Sequence, residues 1–152
     1  MPVTQWLTDD VPVVDPDRWQ LRVVAPGSER LLGYADLAGG VDIVTAVLDC
    51  TGGWYAEQTW RGVRLNRLLP AGAEGRSVEV VSVTGYRRRL PRTDAGRLLL
   101  ATQVGGRPLS AGHGALARLV APGRRGFWWV KWVDRIEVTD EPWWWQPPYP
   151  LQ

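Results

Sequence analysis

Val41-Asp42-Ile43-Val44-Thr45-Ala46-Val47-Leu48-Asp49 runs into Cys50 and then into Thr51-Gly52-Gly53-Trp54. A β-branched, largely apolar run bounded by a Gly-Gly signal predicts a buried strand that ends in a tight turn. The sulfur of Cys50 is then held at the end of a stiff element. Gly52 and Gly53 allow positive φ and close approach of a backbone or a ligand, and successive turn amides can form an anion-binding concavity. Cys50 is the single cysteine of the chain, so it has no internal disulfide partner. Its uses are core filler, nucleophile or soft metal ligand.

Outward from this run, Trp19-Gln20-Leu21-Arg22-Val23-Val24 alternates as a strand and turns at Pro26-Gly27. A short strand near Leu31-Leu32 leads to a helical piece around Tyr34 to Leu37. Past the Gly-Gly turn, Trp60 to Leu65 leads into a helical turn over Leu65 to Leu69, stopped by Pro70. Ser77 to Val83 alternates, and Tyr86 to Leu90 pairs with it as a hairpin through Thr84-Gly85. Leu98 to Ala101 reads as another buried strand, and Arg118-Leu119-Val120 precedes a Pro122-Gly123 loop. Phe127 to Val138 reads as one long run, with Trp128, Trp129 and Trp132 on an alternating strand as core or pocket wall. The expected class is α+β, rich in β structure, with many short strands and a few short helices. One domain is expected over 1–152, with an extended N-terminal segment over 1–18 and a Trp/Pro-rich tail over 140–152.

At 152 residues with 45% apolar and 22% charged residues, the chain can bury a core without staples. Its formal charge of +2 is too even to imply a nucleic-acid surface. The basic set is skewed: Lys131 is the single lysine, and the rest are arginines, the better bidentate clamps for phosphate. No stretch approaches the ~20 consecutive apolar residues of a membrane span, and no signal peptide opens the chain.

One cysteine and one histidine are too few ligands for a zinc ribbon or finger. A Cys50–His113 hydrolase is possible in principle, but nothing around these residues supplies its family-specific context. A more coherent set is a Cys50 thiolate with His113, Arg118, Arg124, Arg125 and Lys131 as donors to an anionic, phosphate-bearing cofactor. A protein that offers one thiolate to a metal leaves the other ligands to an organic chelate. The plain alternative is that these arginines form a solvated face. Tyr86 with Arg87, Arg88 and Arg89 reads in the same way, as a solvated strand face rather than a substrate mouth.

Three blocks, in order, resemble the molybdopterin-binding domain of the sulfite oxidase family. They are Leu48-Asp49-Cys50-Thr51-Gly52-Gly53-Trp54 followed by Trp60-Arg61-Gly62-Val63-Arg64-Leu65; His113-Gly114-Ala115-Leu116-Ala117-Arg118-Leu119-Val120-Ala121-Pro122-Gly123; and Gly126 followed by Val130-Lys131-Trp132-Val133 and Ile136-Glu137-Val138. The resemblance covers the chain from about Trp19 to Val138 and is closest to the compact bacterial members. It implies the sulfite oxidase-type fold and a molybdenum cofactor, with Cys50 as the catalytic protein ligand to the metal. Gly52, Gly53, His113, Arg118, Arg124, Arg125 and Lys131 are then the cofactor-binding candidates.

The family chemistry implied is two-electron oxygen-atom transfer on a small sulfur or nitrogen oxyanion or oxide. Electrons would pass singly to a haem protein or a membrane carrier, with no haem in this chain. Family analogy places the domain outside the cytoplasm, as part of a larger membrane protein. The animal and plant enzymes carry an asparagine and arginines just after the cysteine, where this chain has Gly53 and Trp54, and Leu116 replaces the usual proline. These departures leave a second reading: a non-catalytic molybdopterin-binding or scaffold domain. The tail Trp143-Trp144-Trp145-Gln146-Pro147-Pro148 is expected to wrap the domain.

Overall fold

The structure is a computed structural model that describes residues 1–3, 10–50 and 53–148. Its strands form two five-stranded sheets among the described residues. In the first, β1 (Gln20–Ala25) is flanked by antiparallel β2 (Ser28–Gly33) and by parallel β10 (Val133–Thr139), followed by β5 (Ser77–Ser82) and β6 (Arg87–Pro91). In the second, the order is β3 (Asp42–Asp49), β4 (Tyr55–Arg64), β7 (Leu99–Val104) and β8 (Arg107–Pro108), and β9 (Arg118–Val120) pairs with β7. Two short helices, α1 (Tyr34–Ala38) and α2 (Leu65–Leu68), sit at strand ends. The β-rich α+β class is borne out, as are the β1 strand, both helical turns and the β5–β6 hairpin, where Val81 faces Arg87.

Period-two burial accounts for the core. Leu21 and Val23 of β1, Val78 and Val80 of β5, and Ile136 of β10 point inward and are fully buried. β7 pairs with β4, β8 and β9 and buries four successive residues, Leu99 to Thr102. The 41–49 run behaves differently. β3 is an edge strand, so only Ala46, Leu48 and the adjoining Cys50 are buried, while Val41, Ile43 and Val47 face outward. The expected buried strand is covered on one face alone.

The run from Phe127 to Val138 is not one strand. Gly126–Trp128 forms a 3-10 turn, and pairing begins only at Val133. Trp132 adopts φ 53°, a conformation that a bulky side chain takes only when held. It is held by its indole N–H, which donates to the Ala111 carbonyl at 2.8 Å, and by its own carbonyl, which accepts from Val83 N–H at 2.8 Å. The three tryptophans therefore project in different directions instead of alternating. The β6 arginines also depart from a solvated face. Arg88 is buried against the rings of Tyr86, Phe127 and Trp128, and Arg87 alone of the three is well exposed.

Candidate functional site

Cys50 lies just past β3, with its amide donating to the Trp54 carbonyl at 2.9 Å and its carbonyl accepting from Gly53 N–H at 3.0 Å. Gly53 takes φ +87°, as the turn reading expects, although nothing packs where its side chain would be. Gly52 lies outside the described residues. The loop 124–129 closes over the cysteine: Arg125 bridges to Asp49, and a Cβ on Gly126 would come within 3.2 Å of the Cys50 Cα. A glycine at 126 lets the two backbones meet.

Two cations converge on this thiol from the last third of the chain. Arg118 opens β9 and is buried, its guanidinium 5.1 Å from the Trp60 ring and 5.9 Å from the Trp129 ring. Its Nη1 donates to the His113 carbonyl at 3.1 Å and its Nη2 to the Trp129 carbonyl at 3.4 Å. The buried Nε has no hydrogen-bond partner. Burial lowers the guanidinium to a pKa of about 10, an effect that charge on Cys50 partly offsets. Lys131 donates from Nζ to the Gly112 carbonyl at 2.9 Å and lies 5.4 Å from the Trp132 ring. Burial, then repulsion by Arg118, brings its ammonium down to about 8, again with a partial offset from Cys50.

The loop Ala111–His113 supplies carbonyls to these donors, and Gly114 makes the fit possible. At φ +102°, its missing Cβ would lie 3.1 Å from the Cβ atoms of both Arg118 and Lys131. The His113 ring is engaged on both sides: Nδ1 pairs with Ser110 Oγ at 2.7 Å and Nε2 with the Met1 carbonyl at 2.8 Å.

The other candidate arginines are placed elsewhere. Arg124 pairs with Asp94 at 3.2 Å and lies between the Trp128 and Trp143 rings. Arg125 pairs with Asp49 at 3.6 Å, both half-exposed, on the outer side of β3 that Leu48 and Cys50 turn away from. The structure thus brings together Cys50, Arg118, Lys131 and the 111–114 loop, and keeps the Arg124 and Arg125 side chains apart from them. Trp129, expected as core or pocket wall, and Trp60, to which the sequence assigns no role, pack their rings 5.7 Å apart edge to face and seat Arg118. An isolated tryptophan in a strand pattern carries no signal that distinguishes a core ring from one that seats a cation.

Among the described residues no group of His, Cys, Asp and Glu can hold a bare metal ion. The donor set suits a different guest: one thiol, two desolvated cations and a buried Nε lacking an acceptor fit an anionic group that brings most of its own metal ligands.

Comparison with known proteins gives the same reading. Residues 8–145 match the family model described as oxidoreductase molybdopterin binding domain. The mitochondrial sulfite oxidase of Rattus norvegicus is 32% identical, over 86% of this chain and 31% of that protein. The NADPH nitrate reductase of Fusarium oxysporum is 31% identical over 55% of this chain and 10% of its own length. The chain thus spans about a third of the length of the sulfite oxidases it matches. The crystal structure of the sulfane dehydrogenase SoxCD from Paracoccus pantotrophus superposes with a TM-score of 0.79 at 24% identity, over 86% of this chain and 40% of that one, a likeness of fold. The group this family implies is the molybdenum cofactor, and the Cys50, Arg118 and Lys131 cluster fits it in charge and in donor type. The chain belongs to the family of oxidoreductase molybdopterin-binding domains.

Proposed function

We propose that this chain holds the molybdenum cofactor with Cys50 as the protein ligand to the metal. It serves two-electron oxygen-atom transfer on a small sulfur or nitrogen oxyanion or oxide. The observation that carries the reading is the meeting of the single thiol with a buried arginine and a half-buried lysine against a glycine-rich loop. When bound, the cofactor supplies the two-electron metal couple that oxygen-atom transfer needs.

The chain's own residues do the rest. Cys50, fixed by its turn and by Gly126, presents a thiolate from the end of β3. Lys131, which keeps part of its surface, neutralises the anionic end of the cofactor. Arg118 acts from behind: it ties the His113 and Trp129 carbonyls together and adds positive potential in a medium where water screens little. The sulfite oxidase relatives favour a sulfur oxyanion as the first substrate to try. Electron acceptors of the haem-protein or membrane-carrier kind belong to the same proposal.

The test is sulfite-dependent reduction of ferricyanide by the full chain, expressed in a host that makes the cofactor, with reduction of a sulfoxide and of nitrate by reduced methyl viologen assayed in parallel. Steady turnover that falls at least about 100-fold in Cys50→Ser is the expected outcome. Turnover undiminished in that variant would overturn the ligand role.

A further inference from the structure

The strands that bound the two sheets have their free edges treated differently. β2 carries Glu29 and Arg30, both exposed, and β8 and β9 are two and three residues long. The edge of β6 is capped by the tail: Gln146 accepts from Arg89 N–H at 2.9 Å and donates to the Arg89 carbonyl at 2.8 Å. Charge, shortness and a covering segment are the means by which sheets prevent edge-to-edge pairing. Among the described residues β3 has none of them over most of its length. It is eight residues long, and between Asp42 and Asp49 it holds neither a charge nor a proline.

The hydrogen-bond parity of β3 identifies the groups that this edge offers. Cys50 N–H donates to the Trp54 carbonyl, so the two form a hydrogen-bonded pair, and the register continues unbroken from Asp49–Tyr55 to Asp42–Gly62. Pairs alternate along an antiparallel ladder. Val44, Ala46 and Leu48 therefore aim their N–H and C=O groups at β4, whereas Ile43, Thr45 and Val47 aim theirs away from it. At Asp49 the same outward position is taken by the Arg125 bridge, which closes that end. The three open residues also carry the exposed side chains of the strand, with Ile43 at 56% and Val47 at 47%.

We propose that a second copy of this chain pairs with the open edge of β3, antiparallel, on a two-fold axis at Thr45. The strand is its own complement in that register. Ile43 meets the second copy's Val47 on both sides of the axis and Thr45 meets its own equivalent, each pair exchanging two backbone hydrogen bonds. Charge agrees with the pairing. On β4, Arg61 lies beside Ile43 and Glu57 beside Val47. Across the joined sheets each row then reads Arg61, Ile43, Val47, Glu57, an apolar pair between opposite charges. Moving the axis to Val44 or Ala46 sets Thr45 against Ile43 or against Val47 and loses this match. The antiparallel arrangement carries the two Cys50 residues to opposite ends, about 33 Å apart along the strands, so each cofactor site stays within its own chain.

The test is sedimentation velocity of the full chain between about 1 µM and about 200 µM, where a dimer with a dissociation constant on the order of 10 µM is expected of an interface built on one strand pair. Ile43→Glu and Val47→Lys each set a charge against an apolar residue of the second copy, while each new charge lies beside an opposite one of its own chain, Arg61 or Glu57. Either variant alone is expected to associate at least about tenfold more weakly with an unchanged melting temperature. An equimolar mixture of the two is expected to regain the dimer, because one row then pairs a carboxylate with an ammonium and the other keeps Val47 against Ile43. A chain that stays monomeric throughout the range would overturn a second copy as the occupant. Association unchanged in both variants would overturn the β3 edge, and a mixture that stays monomeric would overturn the axis at Thr45.

Discussion

The cations around Cys50 and those exposed at the surface are set to opposite uses. Arg97, Arg87 and Arg125 are half or more exposed and each lies beside a carboxylate. Arg118 is buried, finds no carboxylate among the described residues, and has two rings and two carbonyls for neighbours. Position relative to carboxylates, more than abundance, separates an arginine that recognises an anion from one that solubilises a surface. The 18 basic residues of the chain cannot be sorted by composition. They sort once each is placed beside its neighbours.

The comparison breaks first at Arg118. Arg118→Ala removes a buried group that joins the His113 and Trp129 carbonyls, and is expected to lower stability by about 3 kcal/mol, read from urea unfolding. Arg97→Ala, at the exposed Asp94 pair, should change it by less than about 0.5 kcal/mol. Similar effects for the two would erase the distinction. Gly126→Ala tests the backbone contact beneath Cys50. Its Cβ would sit 3.1 Å from the Asp49 carbonyl oxygen and 3.2 Å from the Cys50 Cα, so a loss of about 1 kcal/mol is expected, together with weaker retention of the cofactor.

The smallest effect is a pH dependence. Lys131 is lowered in the folded chain from 10.5 to about 8, so between about pH 8 and 10 the unfolded chain binds more protons at this group than the folded chain. Stability of the cofactor-free protein from this group therefore rises with pH across that window. Lys131→Met should flatten the rise, as measured by urea midpoints at the two ends. A steeper rise in the variant would contradict the assignment.

Much of the fold was legible. Alternation located β1 and the β5–β6 pair, and glycine and proline marked the turns that bound them. The Phe127–Val138 run misled because its residue types suit a strand, whereas a 3-10 turn and the positive φ of Trp132 are fixed by contacts with Ala111 and Val83, distant in sequence. The exposure of β3 was hidden for a similar reason: apolar composition does not say which strand lies at a sheet edge. At the site, residue type singled out Cys50 and Lys131 because each occurs once. The separation of Arg124 and Arg125 from Cys50 follows from Asp94 and Asp49, partners that no spacing rule connects to them.

The most direct test of the central claim is molybdenum K-edge X-ray absorption on the cofactor-loaded chain, on Cys50→Ser and on Arg125→Ala. The account predicts one sulfur fewer around the metal in Cys50→Ser and an unchanged sulfur count in Arg125→Ala, whose side chain lies on the other side of β3. An unchanged sulfur count in Cys50→Ser would contradict it.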